Sequence, residues 1–448
     1  MQDFVSSSFC LKCQGCCRFL DKNSILRPVF NPIDVKTLKE KGFDIEVDSS
    51  QRIKNLVFDH GLYYCPFLER KSNRCLIYLK RPFDCWLYPF LLCREGRKIY
   101  LGVHNLCPFV ERNYDSSRFQ NYVGYLKEFL SRKDAKRQIL LNIEIIQDYS
   151  KGEVLTLERL PFLEEILDFS ALTLEHRSDF EDYLYKDHSF HSFNTVFMHT
   201  GLSKVLRVEF EEGPAFICVH RNFVYTLVFL GNSFSKEGAE SLFSFMDNFN
   251  TNSRFSVIEN ISRRFIKSLG AYSIRNEFPD YVYLREDLVN LKGKRFKAMR
   301  WERNYFVKNY DFKIVPLEKC SKEELLYLYK KWESSKDENI EITRDSFYML
   351  EKLLDFQGSL NLEGLVLFVG EEIIGFTLGC KLKKDVFLVL YEVVLPQFKG
   401  GSTFIFTEFI RGKERYINTM DDAGINSLRF RKEHQYPFKK VARLKLLR

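Results

Sequence analysis

The stretch FCLKCQGCCRFL (residues 9–20) places four cysteines within eight positions, at Cys10, Cys13, Cys16 and Cys17. Disulfides among them would be strained, because cysteines so close in sequence do not easily reach the geometry of an S–S bond. Two consecutive Cys-x-x-Cys steps instead suit a site in which the sulfurs face one centre and backbone N–H groups stabilise the thiolates. The stretch therefore predicts a metal or cluster centre.

The composition is that of a globular protein. The chain has 448 residues, of which 45% are hydrophobic and 15% aromatic, enough for more than one buried core. Its longest nearly uncharged apolar runs, VFLVLY (386–391) and WLYPFLLC (86–93), are far shorter than the roughly 20 residues of a membrane span. The opening MQDFVSSSF does not resemble a secretion signal. We therefore expect a cytoplasmic protein with reduced thiols and no transmembrane segment.

A second block of cysteines follows the first. It comprises Cys65 in CPFL, Cys75 in CLIY, Cys85 in RPFDCWLYPF, and Cys107. Eight thiols can make two four-thiolate sites, or one cluster with spare cysteines, and their spacing does not choose between these arrangements. The triple run at the amino end favours an iron–sulfur cluster, because zinc fingers usually have a two-plus-two layout, but zinc stays open.

Positive charge is concentrated in the same part of the chain. Residues 1–150 hold 24 Lys and Arg against 17 Asp and Glu, whereas the other 298 residues hold 44 against 43. Metal-bound thiolates could balance this excess, or the excess could attract an acidic partner.

These motifs, in the order CxxCxxCC, CPFL, CxIY and RPxxCxxYPF, resemble the YkgJ-type CxxCxxCC family of zinc- or iron-chelating proteins over about residues 9–110. The resemblance implies eight metal ligands: Cys10, Cys13, Cys16, Cys17, Cys65, Cys75, Cys85 and Cys107. Cys93 lies outside the pattern, and we interpret it as a packed thiol.

The rest of the chain alternates strand and helix patterns. Apolar spacing predicts a helix over about 119–148, a break at SKG (150–152) and an acidic helical segment at 157–184. Strands followed by a helix are predicted twice, at 204–210, 215–220, 223–230 and 236–249, and at 363–370, 372–382, 385–395 and 402–412. We therefore predict an α+β fold with a small cysteine-rich metal-binding domain (1–149) and two related α/β units (150–285 and 286–448).

Four segments in this half are similar to the family named for the C-terminal domain of phosphatidylglycerol lysyltransferase: 189–199, 280–310, 363–376 and 416–437. The resemblance covers roughly 150–448 and implies a tandem GNAT-like fold, whose best-known members transfer an aminoacyl group from charged tRNA to a lipid. Two departures weaken the implied activity. Met299, Arg300 and Trp301 stand where the family usually has Lys-Arg-Asn, and a glutamate expected near Met420 is replaced.

Two segments could bind the phosphates of a donor. In QFKGGSTFIF (397–406), Gly400 and Gly401 form a turn before a helix, similar to the turn that holds coenzyme A in GNAT acyltransferases, although a plain strand-to-helix turn is equally compatible. In LKGKRFKAMRWERNYFVK (291–308), bases alternate with aromatic residues, which suits phosphates and stacked bases. Its candidate binding residues are Lys294, Arg295, Arg300 and Asn304. The alternative is an amphipathic helix with a solvated charged face.

Catalysis needs a proton acceptor, and Glu392 is the candidate. It interrupts the apolar strand VFLVLYEVVL, where an apolar environment would raise its pKa, although an edge carboxylate paired with Arg or Lys is an alternative. Asp422 and Arg429 form a second polar pair, which could bind the substrate or be a structural ion pair. Residues 429–448 carry eight Lys and Arg, which could contact nucleic acid or an anionic lipid surface.

The sequence thus supports two hypotheses. One is a cysteine-cluster protein, with iron–sulfur or zinc, fused to an acyl- or aminoacyltransferase that uses acyl-CoA or aminoacyl-tRNA. The other is a non-catalytic metal-binding protein whose GNAT-like part recognises a partner. The oligomeric state is left open.

Overall fold

A computed structural model describes residues 4–13, 15–149, 154–184, 192–270, 272–336 and 340–448. The predicted α+β class is confirmed, with a cysteine-rich region followed by two GNAT-like units. No helix within these ranges is long and apolar enough to cross a membrane.

The amino-terminal region combines short helices with three small sheets. Its helices are Ser7–Lys12, Pro32–Lys39, Phe83–Leu87, Pro108–Asn113, Ser117–Ser131 and Lys133–Leu141. Its sheets, in spatial order, are Arg18–Phe19, Leu62–Tyr64 and Val57–Asp59; Leu68–Glu69 and Arg74–Cys75; and Ile146–Gln147, Phe90–Glu95, Lys98–His104 and Val154–Arg159. The predicted helix over 119–148 is two helices that break at Arg132, whose backbone is extended, and the chain then forms a strand.

The predicted boundary at 149/150 falls beside residues 150–153, which lie outside the described residues. Beyond them, Val154–Arg159 pairs with Lys98–His104 in the amino-terminal sheet. Residues 157–184 are mostly not an α-helix: that strand is followed by a 3-10 helix at Pro161–Asp168 and an α-helix only at Arg177–Leu184. The apolar residues Leu163 and Ile166 point into the core from the 3-10 helix, which explains the helical spacing in the sequence.

Each GNAT-like unit is built on a seven-stranded sheet. The first contains, in spatial order, Ser170–Ala171, Lys204–Phe210, Gly213–Val219, Val224–Phe229, Val257–Ile258, Leu444–Leu447 and Ser273–Asn276. The second contains Phe312–Pro316, Glu363–Val369, Glu372–Lys383, Val386–Val394, Tyr416–Asn418, Asp280–Leu284 and Lys439–Val441. The six long strands and the helices Lys236–Asp247 and Gly401–Phe409 agree with the predicted segments to within a few residues.

The sheets cross the predicted boundary at 285/286 in both directions. Asp280–Leu284 precedes that boundary but pairs within the second sheet. Leu444–Leu447, at the end of the chain, lies inside the first sheet between Val257–Ile258 and Ser273–Asn276. Each sheet therefore contains one strand from the other side of the predicted boundary. The boundary itself stays a prediction.

Ion pairs join the amino-terminal region to both units. Asp34, in the helix Pro32–Lys39, lies 3.5 Å from Arg221 of the first unit. Lys36 and Lys39 of the same helix pair with Asp345 and Glu351 in the helix Ile340–Asp355, the latter at 3.0 Å. The helix is thus a fixed contact between the three parts.

Burial raises the pKa of Asp34 to about 6, and Arg221 only partly offsets this effect. A folded pKa above the unfolded value of about 3.9 means that this group stabilises the fold below pH 4, and that its contribution is lost as pH rises to about 6. We expect Asp34→Asn to remove this dependence, so that the variant gains about 2 kcal/mol relative to the parent between pH 4 and 7. Urea unfolding of both proteins at several pH values measures this difference in stability. Parallel curves of stability against pH for the variant and the parent would contradict the prediction.

Candidate metal centre and transfer site

Four cysteines of the amino-terminal region pack in two different apolar cores. Cys17, Cys65 and Cys75 belong to a small apolar cluster with Phe30 and Phe67. Cys107 is buried in the larger core that extends into the first unit. Cys93 is buried next to Gly102, as expected of a packed thiol.

The chain changes direction between the two adjacent cysteines. Cys17 has φ of +62°, a left-handed conformation that is uncommon for a residue other than glycine. Cys17 O then accepts a hydrogen bond from Cys65 N–H at 3.0 Å, while Cys13 ends the helix Ser7–Lys12. Asn73 donates to the carbonyls of Leu11 and Cys13 at 3.1 and 3.3 Å and so holds the intervening loop.

The electrostatic surroundings show which thiols are neighbours. A hydrogen bond with Cys65, followed by burial, raises the pKa of Cys17. Burial, followed by the charges of Cys17 and Asp84, raises the pKa of Cys85, and Cys75 adds to it. Thiols held neutral in this way must lose protons before they can bind a metal.

A separate set of thiols surrounds Tyr88. Burial raises the pKa of Tyr88, and the neighbouring thiols Cys16, Cys107 and Cys13 raise it further. The Tyr88 hydroxyl also lies 2.9 Å from His104 Nδ1, so this histidine, which is buried, has a side-chain partner.

The donor set fits zinc or iron–sulfur, because all eight candidate ligands are thiols. Within the described ranges, no three His, Cys, Asp or Glu side chains are arranged so that they could hold a metal ion. The structure thus brings the cysteines into neighbouring positions without forming a coordination shell.

Glu392 lies on the strand Val386–Val394, next to the start of the helix Gly401–Phe409. Its Oε1 accepts hydrogen bonds from Ser402 Oγ and from Arg431 Nη2, the latter at 2.6 Å, and Arg431 also donates to Ser402 Oγ. The Glu392 side chain is 19% exposed, and that of Arg431 is 44% exposed. Of the two environments considered for Glu392, the structure therefore shows the paired one rather than an apolar one.

Thr377 is the cross-strand neighbour of Glu392 and shares its face of the sheet. It is fully buried, and within the described part of the chain its hydroxyl has no hydrogen-bond partner. The sequence analysis did not identify Arg431, which lies two residues after Arg429. The only signal for it in the sequence is the high density of basic residues in RFRKEH.

Gly400 and Gly401 allow close packing of two helices. Gly400 has φ of +85°, and a Cβ there would lie 2.1 Å from Glu302 O in the helix Lys297–Asn309. At Gly401 a Cβ would lie 3.2 Å from Phe306. The turn is thus explained by strand-to-helix geometry, and phosphate binding at it stays a prediction.

In the basic segment 291–308, some side chains are bonded within the protein and others are exposed. Arg295 pairs with Asp287 at 2.7 Å, and Arg300 donates to the carbonyls of Leu291 and Gly293, capping the preceding helix. The exposed face of the helix comprises Lys294, Lys297, Trp301, Asn304 and Lys308, which we call the basic face. Lys399, from the neighbouring turn, lies 4.7 Å from the Trp301 ring.

Asp422 and Arg429 form an ion pair, as one alternative anticipated. Asp422 is fully buried and accepts hydrogen bonds from Tyr281 Oη at 2.7 Å, Arg429 Nε at 3.1 Å and Gly424 N–H at 2.9 Å. Burial opposes ionisation, but these hydrogen bonds hold the pKa of Asp422 below its usual range.

The basic tail is largely used inside the protein. Its bases, apart from Lys439, are bonded to acidic side chains or carbonyls of the chain. For example, Arg443 pairs with the buried Asp280 at 2.8 Å, and Lys445 pairs with Glu259 at 2.9 Å. The tail therefore builds both sheets, and most of its charge is not free to form the lipid or nucleic-acid surface considered from the sequence.

A cavity of about 120 Å³ lies where the two units meet. Its lining includes His199 and Glu277 from the first unit and Met420, Asp421 and Arg443 from the second. Burial, with a smaller effect of His220 and Arg443, lowers the pKa of His199 to about 4, so this histidine is neutral at pH 7.

Two protein families match the chain. The family of the C-terminal domain of phosphatidylglycerol lysyltransferase matches residues 189–444, and the CxxCxxCC family, described as "Putative zinc- or iron-chelating domain", matches residues 9–111. Because the first match spans more than half of the chain, the chain belongs to the phosphatidylglycerol lysyltransferase C-terminal family. Both resemblances seen in the sequence are confirmed.

Several solved structures are similar to part of this chain. A conserved protein of unknown function from Bacteroides thetaiotaomicron is 22% identical, with a TM-score of 0.54, over 62% of this chain and 99% of its own. L-PGS from Bacillus licheniformis is 15% identical over 60% and 90%, with a TM-score of 0.42. A tandem GNAT protein from the clavulanic acid biosynthesis pathway is 8% identical over 62% and 97%, with a TM-score of 0.34. No curated protein is significantly similar to the chain.

Proposed function

We propose that the tandem unit is an aminoacyltransferase that takes its aminoacyl group from charged tRNA and passes it to an amine or hydroxyl acceptor. The observation that supports this proposal best is the group of Glu392, Ser402 and Arg431 at the junction of a strand and a helix start. It combines a carboxylate that can accept a proton, a hydroxyl and a guanidinium on a partly exposed edge of the unit.

In this proposal the acceptor N–H or O–H attacks the ester carbonyl carbon of the donor. The new C–N or C–O bond forms, the ester C–O bond to the ribose breaks, and the ribose oxygen leaves and takes up a proton. We assign Glu392 Oε2 as the acceptor of the proton from the attacking group, because both hydrogen bonds described above reach Oε1. Arg431 fixes the carboxylate and Ser402 orients it.

The basic face supports tRNA as the donor. Its lysines provide positive charge, and Trp301, which is 50% exposed, offers an aromatic surface for a base. An acyl-CoA donor would instead use the turn at Gly400, where the backbone of Glu302 lies against the glycine. We therefore favour aminoacyl-tRNA and make acyl-CoA an arm of the test.

The direct test uses the full-length protein with a mixture of radiolabelled aminoacyl-tRNAs and vesicles containing phosphatidylglycerol. A parallel reaction supplies acetyl-CoA. Label in the lipid fraction supports the proposal, and label only in the acetyl-CoA arm identifies an acyltransferase. Binding of tRNA without transfer to lipid, to added amines or to water favours the non-catalytic alternative, in which the unit recognises a partner.

Charge reversal on the basic face tests the donor separately. We expect Lys294→Glu with Lys297→Glu to weaken tRNA binding by about tenfold at low salt and to reduce the salt dependence of binding, because two phosphate contacts are lost. The control is Lys236→Glu with Lys267→Glu, which makes the same charge change at exposed positions of the first unit. Fluorescence anisotropy at two salt concentrations measures tRNA binding by both double variants. Equal weakening of binding in the two would contradict a specific role of the basic face.

For the cysteine-rich region we propose an iron–sulfur centre with a structural or redox-sensing role. The run of three cysteines at Cys-x-x-Cys spacing supports this choice over zinc. Protein purified without oxygen should contain iron with matching acid-labile sulfide, whereas zinc without sulfide would assign a structural zinc site.

A further inference from the structure

We infer that the eight cysteines form two separate four-thiolate sites. The amino-terminal site comprises Cys10, Cys13, Cys16 and Cys107, and the hairpin site comprises Cys17, Cys65, Cys75 and Cys85. The inference deepens the proposal for the cysteine-rich region and does not depend on the transferase activity.

Backbone hydrogen bonds tie together three members of the hairpin site. Cys65 N–H donates to Cys17 O at 3.0 Å, and Leu68 N–H donates to Cys65 O at 3.0 Å. Leu68 in turn pairs with Cys75 across the two-stranded sheet. The segments that carry Cys17, Cys65 and Cys75 are therefore adjacent, and the three residues share one small apolar cluster.

Cys85 reaches this site from the helix Phe83–Leu87. Arg81, just before that helix, stacks on the rings of Tyr78 and Trp86 at 4.0 and 3.9 Å, which holds the helix start against the segment after Cys75.

Aromatic contacts define the amino-terminal site. The rings of Phe9 and Phe109 lie 5.0 Å apart, and Arg112 lies over Phe9 at 5.8 Å. The helix Ser7–Lys12 therefore packs on the helix Pro108–Asn113, whose N-cap is Cys107. This packing brings Cys10, next to Phe9, towards Cys107.

Tyr88 adds an independent observation for the same site. Its hydroxyl forms a hydrogen bond with the thiol of Cys16, and Cys107 and Cys13 are its other charged neighbours. Tyr88 thus lies beside three of the four thiols that we assign to the amino-terminal site.

The left-handed backbone at Cys17 separates the two sites. Cys16 and Cys17 are adjacent in sequence, yet Cys17 belongs to the small apolar cluster with Cys65, whereas Cys16 is grouped with Tyr88. Because like-charged thiolates repel, four of them close into a coordination shell only when a cation offsets their charge.

The test measures metal and acid-labile sulfide per chain in full-length protein purified without oxygen. Cys13→Ser and Cys107→Ser disrupt the amino-terminal site, Cys75→Ser and Cys85→Ser disrupt the hairpin site, and Cys93→Ser is the matched control. We expect each of the first four variants to lose one of two centres, about half of the metal if the centres are alike, and the double Cys13→Ser, Cys75→Ser to lose all of it. The control should keep both centres.

Differential alkylation of the parent protein keeps the inference testable if a variant fails to fold. During slow removal of metal by a chelator, mass spectrometry should show that the cysteines lose protection as the two stated groups of four. One centre per chain, or loss of protection in other groupings, would overturn the inference while leaving metal binding intact. A protein without any metal would overturn both the inference and the proposed centre.

Discussion

Glu392→Gln is expected to lower the aminoacyl transfer rate by about 10²- to 10⁴-fold, the range typical of removing a general base. The amide keeps the size of the side chain and can still accept hydrogen bonds from Ser402 and Arg431, but it cannot take the proton of the attacking group. The loss should therefore appear in kcat, with tRNA binding nearly unchanged, because the substitution leaves the basic face intact.

The matched control is Glu372→Gln, which removes a carboxylate from the adjacent strand Glu372–Lys383. Glu372 is paired with Lys331 in an exposed ion pair, and such pairs contribute little to stability. We expect this variant to retain the parent rate. Similar rates for Glu392→Gln and Glu372→Gln would remove Glu392 from the catalytic mechanism, even if the protein proves to be a transferase.

Gly400→Ala is expected to destabilise the second unit by roughly 3 to 4 kcal/mol, the combined effect of left-handed backbone strain and overpacking. The new methyl group would lie 2.1 Å from Glu302 O, which is part of a helix backbone and cannot move without shifting the helix. The helix Gly401–Phe409 would then have to move, and Ser402 would move away from Glu392.

Gly370→Ala separates the two contributions. Gly370 also has positive φ, at +57°, but nothing lies within 4 Å of its hypothetical Cβ. This variant should lose only about 1 to 2 kcal/mol, the backbone effect alone. Urea unfolding of both variants measures the difference, and equal losses would show that the approach to Glu302 costs little.

Local pattern predicted much of the fold. The strands around 363–394 are largely apolar segments separated by short turns, and both their positions and the following helix agree with the structure. The segment at 157–184 was predicted as helical, but its only α-helix is Arg177–Leu184, because the apolar spacing before it belongs to a strand and a 3-10 helix at the amino-terminal sheet. The spacing of apolar residues in one segment does not show which other element the segment packs against.

The long-range contacts of the candidate site residues could not be predicted from the sequence. Glu392 could be chosen as an unusual carboxylate in an apolar strand, but its partner Arg431 lies 39 residues further along and is one of several bases. Similarly, the eight cysteines were recognised from their motifs, while their division into two groups depends on the packing of Phe9 on Phe109 and on the turn at Cys17.

The strand Leu444–Leu447 lies in the first sheet, and this position has a consequence for how the protein folds during synthesis. Ser273–Asn276 has Leu444–Leu447 as its neighbour in the first sheet, so this edge has no partner while those last residues are still inside the ribosome. The first unit is thus encoded before the second but completed after it, by contacts of very high sequence separation, which fold slowly. Removal of Leu444–Leu447 should therefore disturb the first sheet, whose other strands lie far earlier in the sequence.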